Sequence, residues 1–172
     1  MGWRIVVGSD SAGYAYKEAL RADLEADPRV ESVVDVGIRS GEDTDYPHVG
    51  VAAGQVVASG EADRALLVCG TGIGVAMAAG TVPGVRASVA HDAYSVERLV
   101  KSNNAQVLTL GQRVIGLELA RALVSGWLDH RFDEADHRFC DIEDRIEKGL
   151  CRFDDVHDRR ENRLDDVDDR IR

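Results

Sequence analysis

Apolar and polar positions follow two rhythms along the first 128 residues. Short apolar runs closed by glycine or charge predict buried strands, and apolar residues spaced three and four apart predict helices. Arg4–Gly8 is a strand by this criterion. Residues 14–26, with Tyr14, Ala19, Leu20 and Leu24, predict a helix that Pro28 ends. Val30–Val36 is a second strand, and residues 47–59 place Val49, Ala52, Ala53, Val56 and Val57 on one helical face. Ala65-Leu66-Leu67-Val68-Cys69 is apolar throughout, as in a strand covered on both faces. A short helix over Gly72–Ala79, a strand over Ala87–Ala90, a helix over 93–101 and a strand over Val107–Leu110 follow. Residues 116–128 close the series with a strongly amphipathic helix, whose apolar Trp127 suits a buried interface between copies. Five strand–helix alternations predict an α/β fold with a parallel sheet and helices on both faces. Ligands of such folds bind beyond the carboxyl ends of the strands, so the loops there are the places to look for chemistry.

The pattern changes near residue 129. The chain has 172 residues and a formal net charge of −10. Residues 129–172 hold 16 acidic and 10 basic side chains, so −6 of that charge lies in the last 44 residues and −4 in the body. This predicts a domain over 1–132 and a charged extension over 133–172, helical or partly disordered, with Ile142, Ile146 and Leu150 at helical spacing. The acidic balance argues against nucleic acid as a partner. No apolar run approaches the ~20 residues that span a bilayer, which argues against a membrane. The N-terminus enters a strand directly, without a signal-peptide pattern, and Cys69, Cys140 and Cys151 form no even framework. Both features point to the cytoplasm.

Two loops hold the candidate chemistry. Gly8-Ser9-Asp10-Ser11-Ala12-Gly13 follows the first strand and Cys69-Gly70-Thr71-Gly72-Ile73-Gly74 the third. Neither is a dinucleotide or P-loop fingerprint. The second loop sets glycines at alternate positions where a strand meets a helix, and backbone N–H groups there can approach and hold an anion. Cys69 ends the strand immediately before it. A thiolate beside such donors can remove a proton next to a carbonyl while the donors hold the oxyanion. The plain alternative is a core cysteine. Cys140 and Cys151 lack ligand spacing, so no metal and no cofactor is expected.

Five blocks in order resemble the ribose-5-phosphate isomerase B family, which includes galactose-6-phosphate isomerase subunits and tetrulose-phosphate isomerases. They are Gly8-Ser9-Asp10-Ser11-Ala12-Gly13, Asp45-Tyr46-Pro47-His48, Cys69-Gly70-Thr71-Gly72-Ile73-Gly74, Ser102-Asn103-Asn104-Ala105 and Gly111-Gln112-Arg113-Val114-Ile115-Gly116. The resemblance implies a Rossmann-like three-layer α/β/α sandwich on a five-stranded parallel sheet. It implies a homodimer or tetramer with active sites shared between subunits, and metal-free aldose–ketose isomerisation through a cis-enediolate. By the same resemblance Cys69 is the base, Thr71 lies near the reacting oxygens and Asn103 assists the enediolate. Gly70, Gly72 and Gly74 belong to the oxyanion loop, while Asp10 and Tyr46 line the sugar pocket. Arg113 grips phosphate from the neighbouring subunit.

The departures bear on the substrate. Ribose enzymes of the family carry histidine where Ser11 and Ser102 stand here, and the second of these opens the furanose ring. His91, beside Asp92, is the residue type available for that part, and Arg138 is a candidate second phosphate contact. A four-carbon sugar 4-phosphate has its terminal oxygen esterified and closes no furanose ring, so its isomerase needs no such histidine. His91-Asp92-Ala93-Tyr94-Ser95 and the block Ser102–Gln106 also resemble the tetrulose-4-phosphate isomerases. The expected reaction is therefore erythrulose 4-phosphate to erythrose 4-phosphate, with ribose 5-phosphate/ribulose 5-phosphate as the next choice. A non-catalytic partner subunit or a sugar-phosphate sensor are the readings of another class, and Cys69 speaks against the first.

Overall fold

The computed structural model describes residues 2–133. The charged extension, its expected helix over 140–150 and Arg138 lie outside the described residues. Ten elements alternate: β1 (Trp3–Ser9), α1 (Tyr14–Ala26), β2 (Val30–Asp35), α2 (Tyr46–Ala58), β3 (Arg64–Cys69), α3 (Ile73–Ala79), β4 (Ala87–Val89), α4 (Ala93–Lys101), β5 (Val107–Gly111) and α5 (Leu117–Asp129). Each bound falls within one residue of the sequence expectation. The strands form one parallel sheet in the order β2-β1-β3-β5-β4. Burial follows that order. Central β3 and β5 are buried at every residue, whereas edge strands β2 and β4 are not.

Side chains alternate across the sheet and feed two cores. Ile5, Val7, Leu66, Val68, Leu108 and Leu110 pack under α1, α4 and α5, which supply Leu20, Leu24, Val96, Leu99, Leu123 and Trp127. On the other face Val6, Ala65, Leu67, Cys69 and Val107 meet Val49 and Ala53 of α2 and Val75 and Ala79 of α3. The result is a three-layer sandwich. Trp127 corrects one expectation: it is fully buried within its own chain's core and presents nothing to a partner.

Two buried cations fasten the layers at opposite ends of the sheet. Lys17 is 1% exposed and holds Asp35 Oδ2 at 2.6 Å, Glu18 and the Ile38 carbonyl, tying α1 to the end of β2. Burial alone would lower its pKa, but the bonds to Asp35 and Glu18 prevail and raise it. Arg64, at the start of β3, is held between Trp3, whose ring centroid lies 3.9 Å away, and Trp127. Its guanidinium donates to the Trp127 and His130 carbonyls and so caps the carboxyl end of α5. Burial lowers its pKa to about 10. No helix among the described residues is long and apolar enough to cross a membrane.

Replacing Trp127 with Ala removes the largest fully buried side chain. We expect a stability loss of about 3–5 kcal/mol, read as a lower urea midpoint at unchanged slope.

Candidate active site

β1 and β3 are neighbours in the sheet, yet the chain leaves them on opposite faces, into α1 and α3 respectively. The carboxyl ends of these strands therefore border a crevice, the usual ligand position in an open α/β sheet. The loops after β1, β3 and β5 meet there at backbone contact. A Cβ on Gly13 would lie 2.3 Å from the Val68 carbonyl oxygen, and one on Gly111 would lie 2.7 Å from the Thr71 carbonyl. Gly72 is left-handed, with φ +81°, and turns the chain into α3. Its carbonyl accepts from Thr109 Oγ1 at 2.7 Å. Gln112 and Arg113 donate their backbone N–H groups to the Cys69 and Gly70 carbonyls, at 2.9 and 3.0 Å, which stitches the β5 loop to the β3 loop.

Cys69 sits inside this frame. It is 5% exposed, pairs in register with Gly111, and its Sγ accepts the Gly72 N–H at 3.1 Å. Thr71 is exposed at the crest of the loop and accepts the Ile73 N–H on Oγ1. The ring of Tyr46, at the start of α2, lies over Gly74: a Cβ there would come within 2.7 Å of Tyr46 Cε2. Asp10 accepts the Gly13 N–H on Oδ1 at 3.1 Å, and Ser11 beside it is exposed. Burial raises the Asp10 pKa, opposed by the Gly13 and Ala12 N–H groups and the Arg113 charge. The Arg113 side chain lies against Gly70, with Cδ and Nη1 each 3.6 Å from the position of a Cβ there. One chain thus gathers Asp10, Ser11, Tyr46, Cys69, Gly70, Thr71, Gly72, Gly74 and Arg113 at one end of the sheet. Arg113 lies over the loop of its own chain; the reach into a neighbour's site expected of it concerns a second copy.

Two expected residues behave differently. Asn103 follows α4, which leaves β4 at the carboxyl end of the sheet and descends to the start of β5. Its Nδ2 donates to the Arg98 carbonyl at 2.9 Å and caps α4. Within one chain it therefore sits at the opposite end of the sheet from Cys69. His91 does lie at the crevice end, but its Nε2 accepts the Gly111 N–H at 2.9 Å. That nitrogen is unavailable as a ring-opening acid or base. Sequence reasoning also passed over Gln112, whose side chain accepts the Tyr16 N–H and ties α1 to the β5 loop. It likewise passed over Lys17, although 17, 20 and 24 share one helical face and mark it as inward-facing.

The ribose/galactose isomerase family model matches residues 5–144. The chain belongs to that family. It is 65% identical over 134 residues to D-erythrulose-4-phosphate isomerase 2 of Mycolicibacterium smegmatis, covering 77% of this chain and 88% of that one. It is 38% identical over 135 residues to ribose-5-phosphate isomerase B of Escherichia coli, covering 78% and 89%. The solved ribose-5-phosphate isomerase B of Clostridium thermocellum superposes with a TM-score of 0.73 at 36% identity, covering 83% of this chain and 99% of that one.

The frame makes Gly13 a stringent position. Gly13→Ala should destabilise the chain by about 1–3 kcal/mol through overpacking, seen as a lower thermal midpoint.

Proposed function

We propose that the chain interconverts D-erythrulose 4-phosphate and D-erythrose 4-phosphate through a cis-enediolate. The observation that carries the reading is Cys69, buried at the switch-point crevice with a backbone N–H on its sulfur. As thiolate it takes a proton from C1 of the ketose. The C2 carbonyl oxygen gains the negative charge, and the glycine loop faces it with N–H donors. The thiol then returns the proton to C2, while the hydroxyl proton passes from the C1 oxygen to the C2 oxygen, so atoms and charge balance. Thr71 borders the reacting oxygens, Asp10 and Tyr46 hold the sugar, and Arg113 binds the phosphate.

The tetrose preference rests on what flanks the thiol. Ser11 stands beside Asp10 where a ribose enzyme carries histidine, and the Nε2 of His91 is occupied by the Gly111 N–H. A tetrose 4-phosphate needs no ring-opening group. The 65% identical relative bears that substrate in its name. A reduced Cys69 suits a reducing cytoplasm.

The Asn103 role requires a second copy. An exposed apolar strip supports one: Ile73 and Met77 of α3 are 54% and 71% exposed and flank a groove of about 420 Å³ against edge strand β4. A homodimer that covers this strip and brings the partner's α4 end to the crevice completes the site.

Two measurements test these readings. Cys69→Ala should lower kcat by about 10²–10⁴-fold in an assay of both substrate pairs; faster turnover of ribose 5-phosphate by the unmodified enzyme would overturn the tetrose preference. Mixing inactive Cys69→Ala and Asn103→Ala chains should restore about a quarter of wild-type activity, since half the dimers are mixed and each has one intact site. No recovery after subunit exchange would place each site within one chain.

A further inference from the structure

The strongest feature outside the reaction itself is the bond between His91 and the Gly111 backbone. A backbone N–H only donates, so Nε2 must be the unprotonated nitrogen and the neutral ring carries its proton on Nδ1. Gly111 is no ordinary partner. It pairs with Cys69 in the sheet, packs against the Thr71 backbone, and opens the turn whose next two N–H groups bond the Cys69 and Gly70 carbonyls. The same turn sets Arg113 over Gly70. His91 itself stands just after β4, ahead of Asp92, which caps α4 by accepting the Ser95 N–H at 2.8 Å. The ring therefore braces the β5 loop from the outer strand, and the β5 loop braces the catalytic one.

We propose that His91 is a positioning residue: its neutral imidazole holds Gly111, and through it the Arg113 turn, in the geometry that binds the substrate phosphate beside Cys69. Protonating Nε2 replaces an acceptor with a second donor facing the Gly111 N–H, and the brace is lost. Asp92, the cap of α4, is the charged group that acts on the ring; Cys69 ends β3 and Arg113 stands on the β5 loop that the ring holds. Burial lowers the ring's pKa and Asp92 opposes this, so the neutral form persists to below the ordinary histidine range. The sign follows: the brace is complete at neutral pH and fails as pH falls through the lowered pKa.

This inference deepens the isomerase reading and rests on it for its kinetic arm; the spectroscopic arm stands alone. His91→Gln keeps an acceptor that does not titrate, whereas His91→Ala keeps none. With erythrulose 4-phosphate at pH 7.5, His91→Ala should raise KM about tenfold with a smaller change in kcat, the scale of one lost hydrogen bond. His91→Gln should recover most of that loss and show no acid limb from this position in its kcat/KM profile. In the nitrogen-15 spectrum the Gly111 amide should shift with pH on a midpoint below about 6.5 in the wild type and stay still in His91→Gln. Equal and severe kcat losses in both variants would overturn the proposal, because the imidazole would then act on the reacting atoms. So would a Gly111 amide that ignores the titration. A wild-type enzyme silent on every sugar phosphate would sink the isomerase reading instead, and the amide titration would still decide the brace.

Discussion

Everything at the active end of this molecule depends on three loops lying closer together than side chains permit. Gly13 presses on the Val68–Cys69 peptide, Gly111 presses on Thr71, and Gly72 adopts a left-handed turn against Val89 and Leu110. At Gly13 and Gly111 the contact is backbone against backbone, so neither can relax by a side-chain rotation. The consequence is a fixed crevice in which a sulfur at the end of β3 meets the N–H of a residue three positions later. Sheet register transmits the constraint, because Cys69 and Gly111 are partners across β3 and β5. Moving β3 by one residue would turn Cys69 out of the α2–α3 core and away from the loop it serves.

The parts of this arrangement visible in the sequence are those with a local signature. Strand and helix periods located all ten elements, because β3 and β5 are apolar at nearly every position and the helices show clear inward faces. The glycine spacing after Cys69 marked the loop, and motif resemblance gave roles to its residues. What stayed hidden depends on distance along the chain. Asn103 lies next to a motif serine and reads as a site residue, yet the descent of α4 carries it to the far end of the sheet. No one-dimensional pattern shows that a helix separates two motif blocks in space. Trp127 misled for a related reason, since an apolar helix face says that something covers it without saying what.

Polar side chains that brace backbone were harder to read. Lys17, Arg64 and His91 are the kinds of residue usually placed at surfaces or at chemistry, yet each braces backbone: the end of β2, the end of α5 and the β5 turn. Their common feature is a carbonyl or N–H left without a partner where a strand or helix stops. A long or ring-shaped polar side chain answers that need from another element, which links layers that apolar packing alone would let slide.

The acidic character of the chain poses a problem for a phosphate ligand that the crevice resolves locally. The −10 total is a long-range quantity, screened within about 8–10 Å at physiological salt, and more than half of it lies in the last 44 residues. The local charges at the crevice are Asp10 and Arg113, close enough for the guanidinium to act on the carboxyl. Burial pushes the Asp10 carboxyl toward protonation, and the Gly13 and Ala12 N–H groups, then Arg113, pull it back. An anion bound at Arg113, as proposed for the substrate phosphate, would offset part of that pull and add its own repulsion, which would favour the neutral form of Asp10. A neutral carboxyl can donate as well as accept, which would suit the sugar-holding role proposed for Asp10. On the proposed site, phosphate binding would act on the sugar-holding acid through one guanidinium and one half-buried carboxyl, with no need for a basic surface.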